Sequence, residues 1–158
     1  MERNLVEEFH DIFNAEENLK TLHGKPMKIY AKEEAVPHAI HVARPVPKAW
    51  EKVVMKSLEK MIQQGIIASL DDETSEWCHP MIIAPKQNGG AHICVDLTNL
   101  NKYVERPIHP THSSRDAVNN ISSDANFFTF VDATQGYWLV PFYESSQSLT
   151  TFLTLKKI

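Results

Sequence analysis

The chain has little with which to cross-link itself: two cysteines, Cys78 and Cys94, in 158 residues. Two free thiols in a reducing compartment are the expectation. No apolar run approaches the length that crosses a bilayer. The opening Met1–Glu8 is too acidic and too broken for a signal peptide. Together these point to a soluble intracellular protein, of the cytoplasm or nucleus, with no membrane partner. A basic surplus is missing as well. There are 16 lysines and arginines against 20 aspartates and glutamates, a net charge of −4 and a pI near 6.0. Phosphate neutralisation supplies most of the affinity of a freestanding nucleic-acid binder. Either the chain does not grip nucleic acid by itself, or the basic surfaces lie elsewhere. Internal repeats and low-complexity segments are also absent.

What is present is ordinary for a globular protein: 42% hydrophobic and 23% charged residues, with length for one modest core, as a domain or a piece of a larger one. Residues 4–13 suit a short amphipathic helix, with Asn4 and Glu7 as a capping pair. Met27–Lys32 alternates as an edge strand does. Between Val36 and Pro47, three prolines favour an extended strap. The clearest helix runs from about Lys48 to Gln64, with Pro47 at its start, Gly65 at its end and Trp50, Val53, Val54, Leu58, Met61 and Ile62 as its apolar stripe. Asp71, Asp72 and Glu73 read as a solvated turn rather than a metal site.

Residues 79–97 form a β-hairpin about Gln87-Asn88-Gly89-Gly90, since Asn-Gly is the strongest short turn signal. With Asn88 and Gly89 at the tip, Lys86 faces Ala91, Pro85 faces His92 and Ile83 faces Cys94. Cys78 then lies five residues along the strand from Cys94's partner, about 16 Å away at 3.3 Å per residue. That distance removes Cys78, His79, His92 and Cys94 as a zinc set and the two thiols as a disulfide. Ser114–Ile121 fits a short helix capped by Ser113 or Ser114. Trp138–Tyr143 and Leu149–Leu155 read as two strands joined by a turn at Glu144–Ser148.

The stretch Phe127-Phe128-Thr129-Phe130-Val131-Asp132-Ala133-Thr134-Gln135-Gly136-Tyr137-Trp138 is the candidate site. Its aromatic and β-branched start reads as a buried strand that breaks off at Asp132, with Gly136 letting the backbone turn. A carboxylate at a strand end is held rigidly while its tip reaches solvent, as a metal ligand requires. The local pattern alone favours the plainer role, in which Asp132 caps the turn with its side chain.

Val131 to Pro141 resembles the first catalytic palm motif of reverse transcriptases from gypsy-type retrotransposons. The likeness extends along the chain. Pro45-Val46-Pro47, the helix after it and Gly65-Ile66-Ile67 resemble the entry to the fingers. Ser75 to Gly89 is similar to a fingers strand and its loop, and Ile93–Leu97 with Leu100-Asn101 to the return strand. Ser145-Ser146 and Leu149–Phe152 resemble the strand after the motif. The implied fold class is α+β, the fingers and partial palm of a right-hand polymerase. Residues 1–44 would be a connector, 45–112 the fingers with a hairpin at about 79–97, and 113–158 an incomplete palm.

The resemblance implies template-directed nucleotidyl transfer with two Mg2+ ions, an RNA or DNA template–primer and a dNTP as partners of the full-length protein. By the same likeness Asp132 is the catalytic, metal-binding aspartate, and Ala133 lends a backbone carbonyl to the metal. Tyr137 lies under the sugar, Gln135 and Gly136 line the triphosphate, and Lys86 reaches the phosphates. His92 stands where the family places an arginine; a neutral imidazole supplies neither its fixed charge nor its fork. The motif with the remaining metal-binding aspartates would lie beyond Ile158. One carboxylate does not hold two Mg2+ ions, so these residues alone are expected not to polymerise and to bind nucleic acid weakly or not at all. An unpaired palm edge with exposed apolar surface is expected too. A non-catalytic nucleic-acid-binding remnant and a structural or interaction protein derived from a transposon are the alternatives.

Overall fold

The computed structural model describes residues 5–10, 21–70, 74–85, 90–130, 132–133 and 135–155. One turn of helix, α1 (Leu5–Glu8), begins the chain; Asn4 and residues 11–13 of the expected helix lie outside the described residues. The principal helix is α2 (Lys48–Gln63), as its stripe predicts. It ends in a Schellman arrangement. Gly65 takes φ +69°, its N–H donates to the Ile62 carbonyl at 2.9 Å, and the Ile66 N–H donates to Met61 at 2.9 Å. Glycine adopts that left-handed backbone without the Cβ penalty of other residues.

The hairpin forms from β1 (His79–Pro85) and β2 (Ala91–Val95), antiparallel. Its register is one residue from the expected one. Pro85 pairs with Ala91, Ala84 with His92, Ile83 with Ile93 and Ile82 with Cys94. Five residues separate the last pair, an odd number, which a two-residue turn centred on Asn88 and Gly89 does not allow. Residues 86–89, Lys86 among them, lie outside the described residues, as do Asp71, Asp72 and Glu73. Cys78 is now four residues along the strand from Cys94's partner, about 13 Å, and both thiols are free.

β1 is the middle strand of three, in the order β2-β1-β3, with β3 (Phe152–Leu153) parallel to it. Only His79–Phe152 and Pro80–Leu153 pair across that side. A proline cannot donate to a ladder, and Pro80 stands at this junction. α2 lies against the sheet. Val46, Val54, Leu58, Met61 and Met81 form the buried cluster, with Trp50, Ile83, Ile93 and Phe152 packed around it. Each such aliphatic side chain taken fully from water contributes about 1.5–3 kcal/mol, so this cluster holds the fold.

The first segments lace the later ones together. The strap crosses β1's approach: Ile40 donates to the Cys78 carbonyl and Cys78 to that of His38, both at 3.0 Å. Met27–Lys32 makes two isolated bridges, Met27 with Phe142 and Ala31 with Val104, rather than the expected strand. Short helices fill the rest: α3 (Thr98–Asn101), α4 (Ser114–Asn119) and α5 (Glu144–Gln147). The α4 cap is Ser113, in a reciprocal capping box with Asp116. α5 replaces the turn expected at Glu144–Ser148.

Candidate functional site at the Asp132 turn

The aromatic run before Asp132 is not a buried strand. Residues 127–130 carry no ladder, and Phe127, Phe128 and Phe130 are 94%, 72% and 92% exposed. Strand propensity records how well a side chain fits a pleated, half-covered surface, and no described strand lies beside this run. Val131 and Thr134 are outside the described residues.

Asp132 and Ala133 are exposed. The Asp132 carboxylate has no hydrogen-bond or ion-pair partner among the described residues; Thr134, whose N–H a side-chain cap of this turn would engage, lies outside them. The turn itself is made otherwise than expected. Gln135, not Gly136, takes the positive φ, at 55° with ψ 37°. A left-handed non-glycine residue costs roughly 1–2 kcal/mol, and what offsets it is the helical turn that follows. Gly136–Leu139 forms a 3-10 turn, with the Trp138 N–H donating to the Gln135 carbonyl at 2.9 Å. A Cβ added at Gly136 would meet Ala133 Cβ at 3.5 Å, an ordinary contact. Space therefore does not demand glycine at 136. Tyr137 points into solvent, 96% exposed, and Trp138 is 36% exposed.

The segment after the turn is anchored rather than stranded. Leu22 donates to the Leu139 carbonyl at 2.7 Å, Met27 to Pro141 at 2.8 Å and Tyr143 to Met27 at 2.9 Å. The Ile29 N–H donates to the Oγ of Ser146, which is fully buried. The expected strand at Trp138–Tyr143 is thus a 3-10 turn and one bridge. Residues 22–29 hold its far end, so Asp132 sits on a support fixed on one side.

His92 is exposed on β2 and makes no hydrogen bond or ion pair with the Asp132 turn. Asp96 belongs elsewhere. Its carboxylate accepts from the Thr98 hydroxyl at 2.6 Å and the Thr98 N–H at 3.2 Å, and pairs with Arg44 at 3.4 Å. Those hydrogen bonds from Thr98, with Arg44 a lesser influence, hold its carboxyl below the usual range. No group of three or more His, Cys, Asp or Glu side chains is placed to hold a metal among the described residues. What the turn offers among the described residues is a single exposed carboxylate, at Asp132, and an exposed phenol, at Tyr137.

Two residues of structural weight are not evident from the sequence pattern. His79, considered there only as a zinc ligand, is fully buried. Its Nε2 donates to the Leu149 carbonyl at 3.0 Å, and its ring stacks on Trp77 with centroids 5.8 Å apart. Ser146 is the other. Nothing in the local pattern marks either; both are fixed by residues more than 60 positions away.

No protein-family model matches the sequence. Among solved structures the chain is similar to prototype foamy virus protease–reverse transcriptase. The selenomethionine-labelled mutant superposes with TM-score 0.74 and 18% identity over 99% of this chain and 21% of that one. The native protein gives TM-score 0.68 and 17% identity over 96% of this chain and 21% of its own. A foamy viral protease–reverse transcriptase in complex with dsDNA gives TM-score 0.59 and 15% identity over 98% of this chain and 33% of its own. This chain therefore spans between a fifth and a third of the length of those structures. The fold is α+β and reverse transcriptase-like. The likeness does not distinguish a gypsy-type element from a retrovirus. No helix among the described residues is long and apolar enough to cross a membrane.

Proposed function

We propose that this chain is the connector, fingers and first palm segment of an RNA-directed DNA polymerase of a gypsy-type retrotransposon. The observation that carries the reading is Asp132: an exposed carboxylate on a turn, without a partner among the described residues, in a chain that superposes almost end to end on reverse transcriptase structures. One of those structures is in complex with dsDNA, and a template–primer is the corresponding partner proposed here.

The residues present fit one part of a magnesium site. A hard cation takes carboxylate and carbonyl oxygens and retains waters or phosphates in its other positions. The Asp132 carboxylate and the Ala133 carbonyl would be its protein donors. When bound, the ion pair would polarise the phosphoryl centre and stabilise the attacking and leaving oxygens. Around it, Gln135 and Gly136 would offer backbone N–H groups to the triphosphate, and Tyr137 would lie under the deoxyribose. Lys86 and His92 would approach from the hairpin. His92 brings no fixed charge, so the grip on phosphate from that side is weaker than an arginine's. That substitution favours a non-catalytic nucleic-acid-binding remnant as the second reading.

One carboxylate does not hold two divalent ions, so polymerisation needs a polypeptide that adds the remaining ones. A longer chain that continues into a Tyr-x-Asp-Asp strand–turn–strand is expected to extend a primer with Mg2+. In it Asp132→Asn should lower the rate by more than about 100-fold, beyond the 10–100-fold typical of losing an outer-sphere partner of a metal. Primer extension unaffected by that substitution refutes the assignment.

A further inference from the structure

A second surface lies away from the Asp132 turn. Along α2, lysines recur at Lys48, Lys52, Lys56 and Lys60, and all four are exposed. At 100° and 1.5 Å per residue each step of four turns about 40° and rises about 6 Å. The four ammonium groups therefore form a row about 18 Å long that spans about 120° of the helix. The buried residues Val54, Leu58 and Met61 lie on the opposite side. Packing against the sheet leaves the row uncovered.

None of the four lysines has an ion-pair partner among the described residues, where Arg44–Asp96 is the salt bridge formed. The acidic residues on the same helix are Glu51 and Glu59. Four lysines against two glutamates give α2 a positive surplus in a chain whose net charge is −4. An i, i+4 lysine series repels itself, which disfavours a helix slightly. Glu51 and Glu59 stand three residues after Lys48 and Lys56, a spacing at which helix side chains are neighbours, yet neither forms an ion pair among the described residues.

We propose that the exposed face of α2 is a track for the phosphate backbone of a nucleic-acid strand, outside the candidate nucleotide site. Charge complementarity selects a polyanion. A B-form strand carries one phosphate per ~3.4 Å of axis, so steps of about 6 Å meet roughly every second phosphate. Long, flexible lysine stems absorb the mismatch as point charges and do not require a fixed fork. Such contacts position a strand and read no sequence. The choice of nucleic acid as the polyanion rests on the polymerase-like reading above, whereas the lysine row itself does not.

The test is fluorescence anisotropy of a labelled single strand, and of its duplex, with the 158-residue chain from low to moderate salt. The quadruple variant K48Q/K52Q/K56Q/K60Q should lose about tenfold or more in affinity at low salt. Its plot of log affinity against log salt should flatten by about 0.7 per lost contact on a single strand and about 0.9 on a duplex. The quadruple arginine variant should retain both. Circular dichroism matching the parent shows that the glutamine variant is folded. Three results overturn the track: no binding by the parent at low salt, an unchanged slope in the glutamine variant, or equal loss of polyglutamate binding, which would make the face a site for acidic protein. Asp132→Asn should leave this slope alone. Loss of the track with Mg2+-dependent extension intact in the longer chain thus separates failure of this inference from failure of the polymerase reading.

Discussion

Residues 79–95 and 127–143 carry the same kind of sequence, apolar runs rich in β-branched and aromatic residues, and they end in opposite states. The first forms a five-pair ladder and packs under α2, burying Met81 to 5% exposure. The second leaves Phe127, Phe128, Phe130 and Tyr137 almost wholly in water. Composition does not separate them; what lies opposite does. In the first run β1 pairs with β2 over five residues, with β3 over two and with the strap at Cys78, and the side chains then have a surface to fill. In the second, only the stretch after Leu139 meets partners, supplied by residues 22–29. A strand is a property of a pair, and an extended apolar run without one is an open edge.

The sharpest way to break this contrast is to truncate one apolar side chain in each region and compare urea denaturation. Leu58→Ala removes a side chain only 1% exposed at the centre of the core, and should cost about 2–5 kcal/mol. Phe128→Ala removes a larger side chain that is 72% exposed, and should change stability by no more than about 0.5 kcal/mol. Comparable losses in both would mean that the aromatic run is packed in solution and that the two regions are alike.

The contrast also explains what could be read in advance. The α2 helix was legible because its stripe, proline and glycine are all local, and the Schellman end at Gly65 needs nothing from elsewhere. The α4 cap was legible for the same reason, from Ser113 and its neighbours. The hairpin was legible as a hairpin, but its register was not: Asn88-Gly89 signals a turn without fixing how many residues it takes. The strands expected at 127–131 and 138–143 failed because their side chains satisfy a pattern while their ladders depend on partners far away in sequence. At the candidate site, the exposure of Asp132 is as the break in the run implies. The left-handed Gln135 was not, because glycine at 136 was the better local guess for a positive φ.

A middle-sized effect is expected at the seam between the two regions, where His79 joins β1 to the segment around β3. A carbonyl only accepts, so the 3.0 Å contact with Leu149 requires the proton on Nε2. His79→Leu keeps an apolar ring-sized filling beside Trp77 and deletes that hydrogen bond. Losing that hydrogen bond at a half-buried carbonyl costs about 0.5–1.5 kcal/mol, and hydrogen exchange should become faster at Phe152 and Leu153 before it does in β2. Stability within about 0.5 kcal/mol of the parent, with no change in exchange at β3, would show that the seam is held by strand pairing alone.

The smallest effect concerns the two carboxylates held by local hydroxyls, Asp96 in the folded hairpin region and Asp116 at the head of α4. Hydrogen bonds from Thr98 to Asp96 and from Ser113 to Asp116 hold both carboxyls below the ordinary range. A folded pKa lower than the unfolded one means that the unfolded chain binds protons first as pH falls. The stabilisation is therefore complete above the unfolded value of about 3.9 and is lost as pH drops through the lower, folded one. Asp116 is exposed and Asp96 partly so, so the gain is screened and modest. Carboxyl-carbon NMR titration should place both midpoints below about 3.9. Thr98→Val removes the hydroxyl that acts most strongly on Asp96, leaving the backbone N–H and Arg44, and should raise the Asp96 midpoint while leaving Asp116 where it was. If instead both midpoints move together, the two carboxylates respond to the charge of the whole chain rather than to the hydroxyl beside each, and the packed and open regions are electrostatically one.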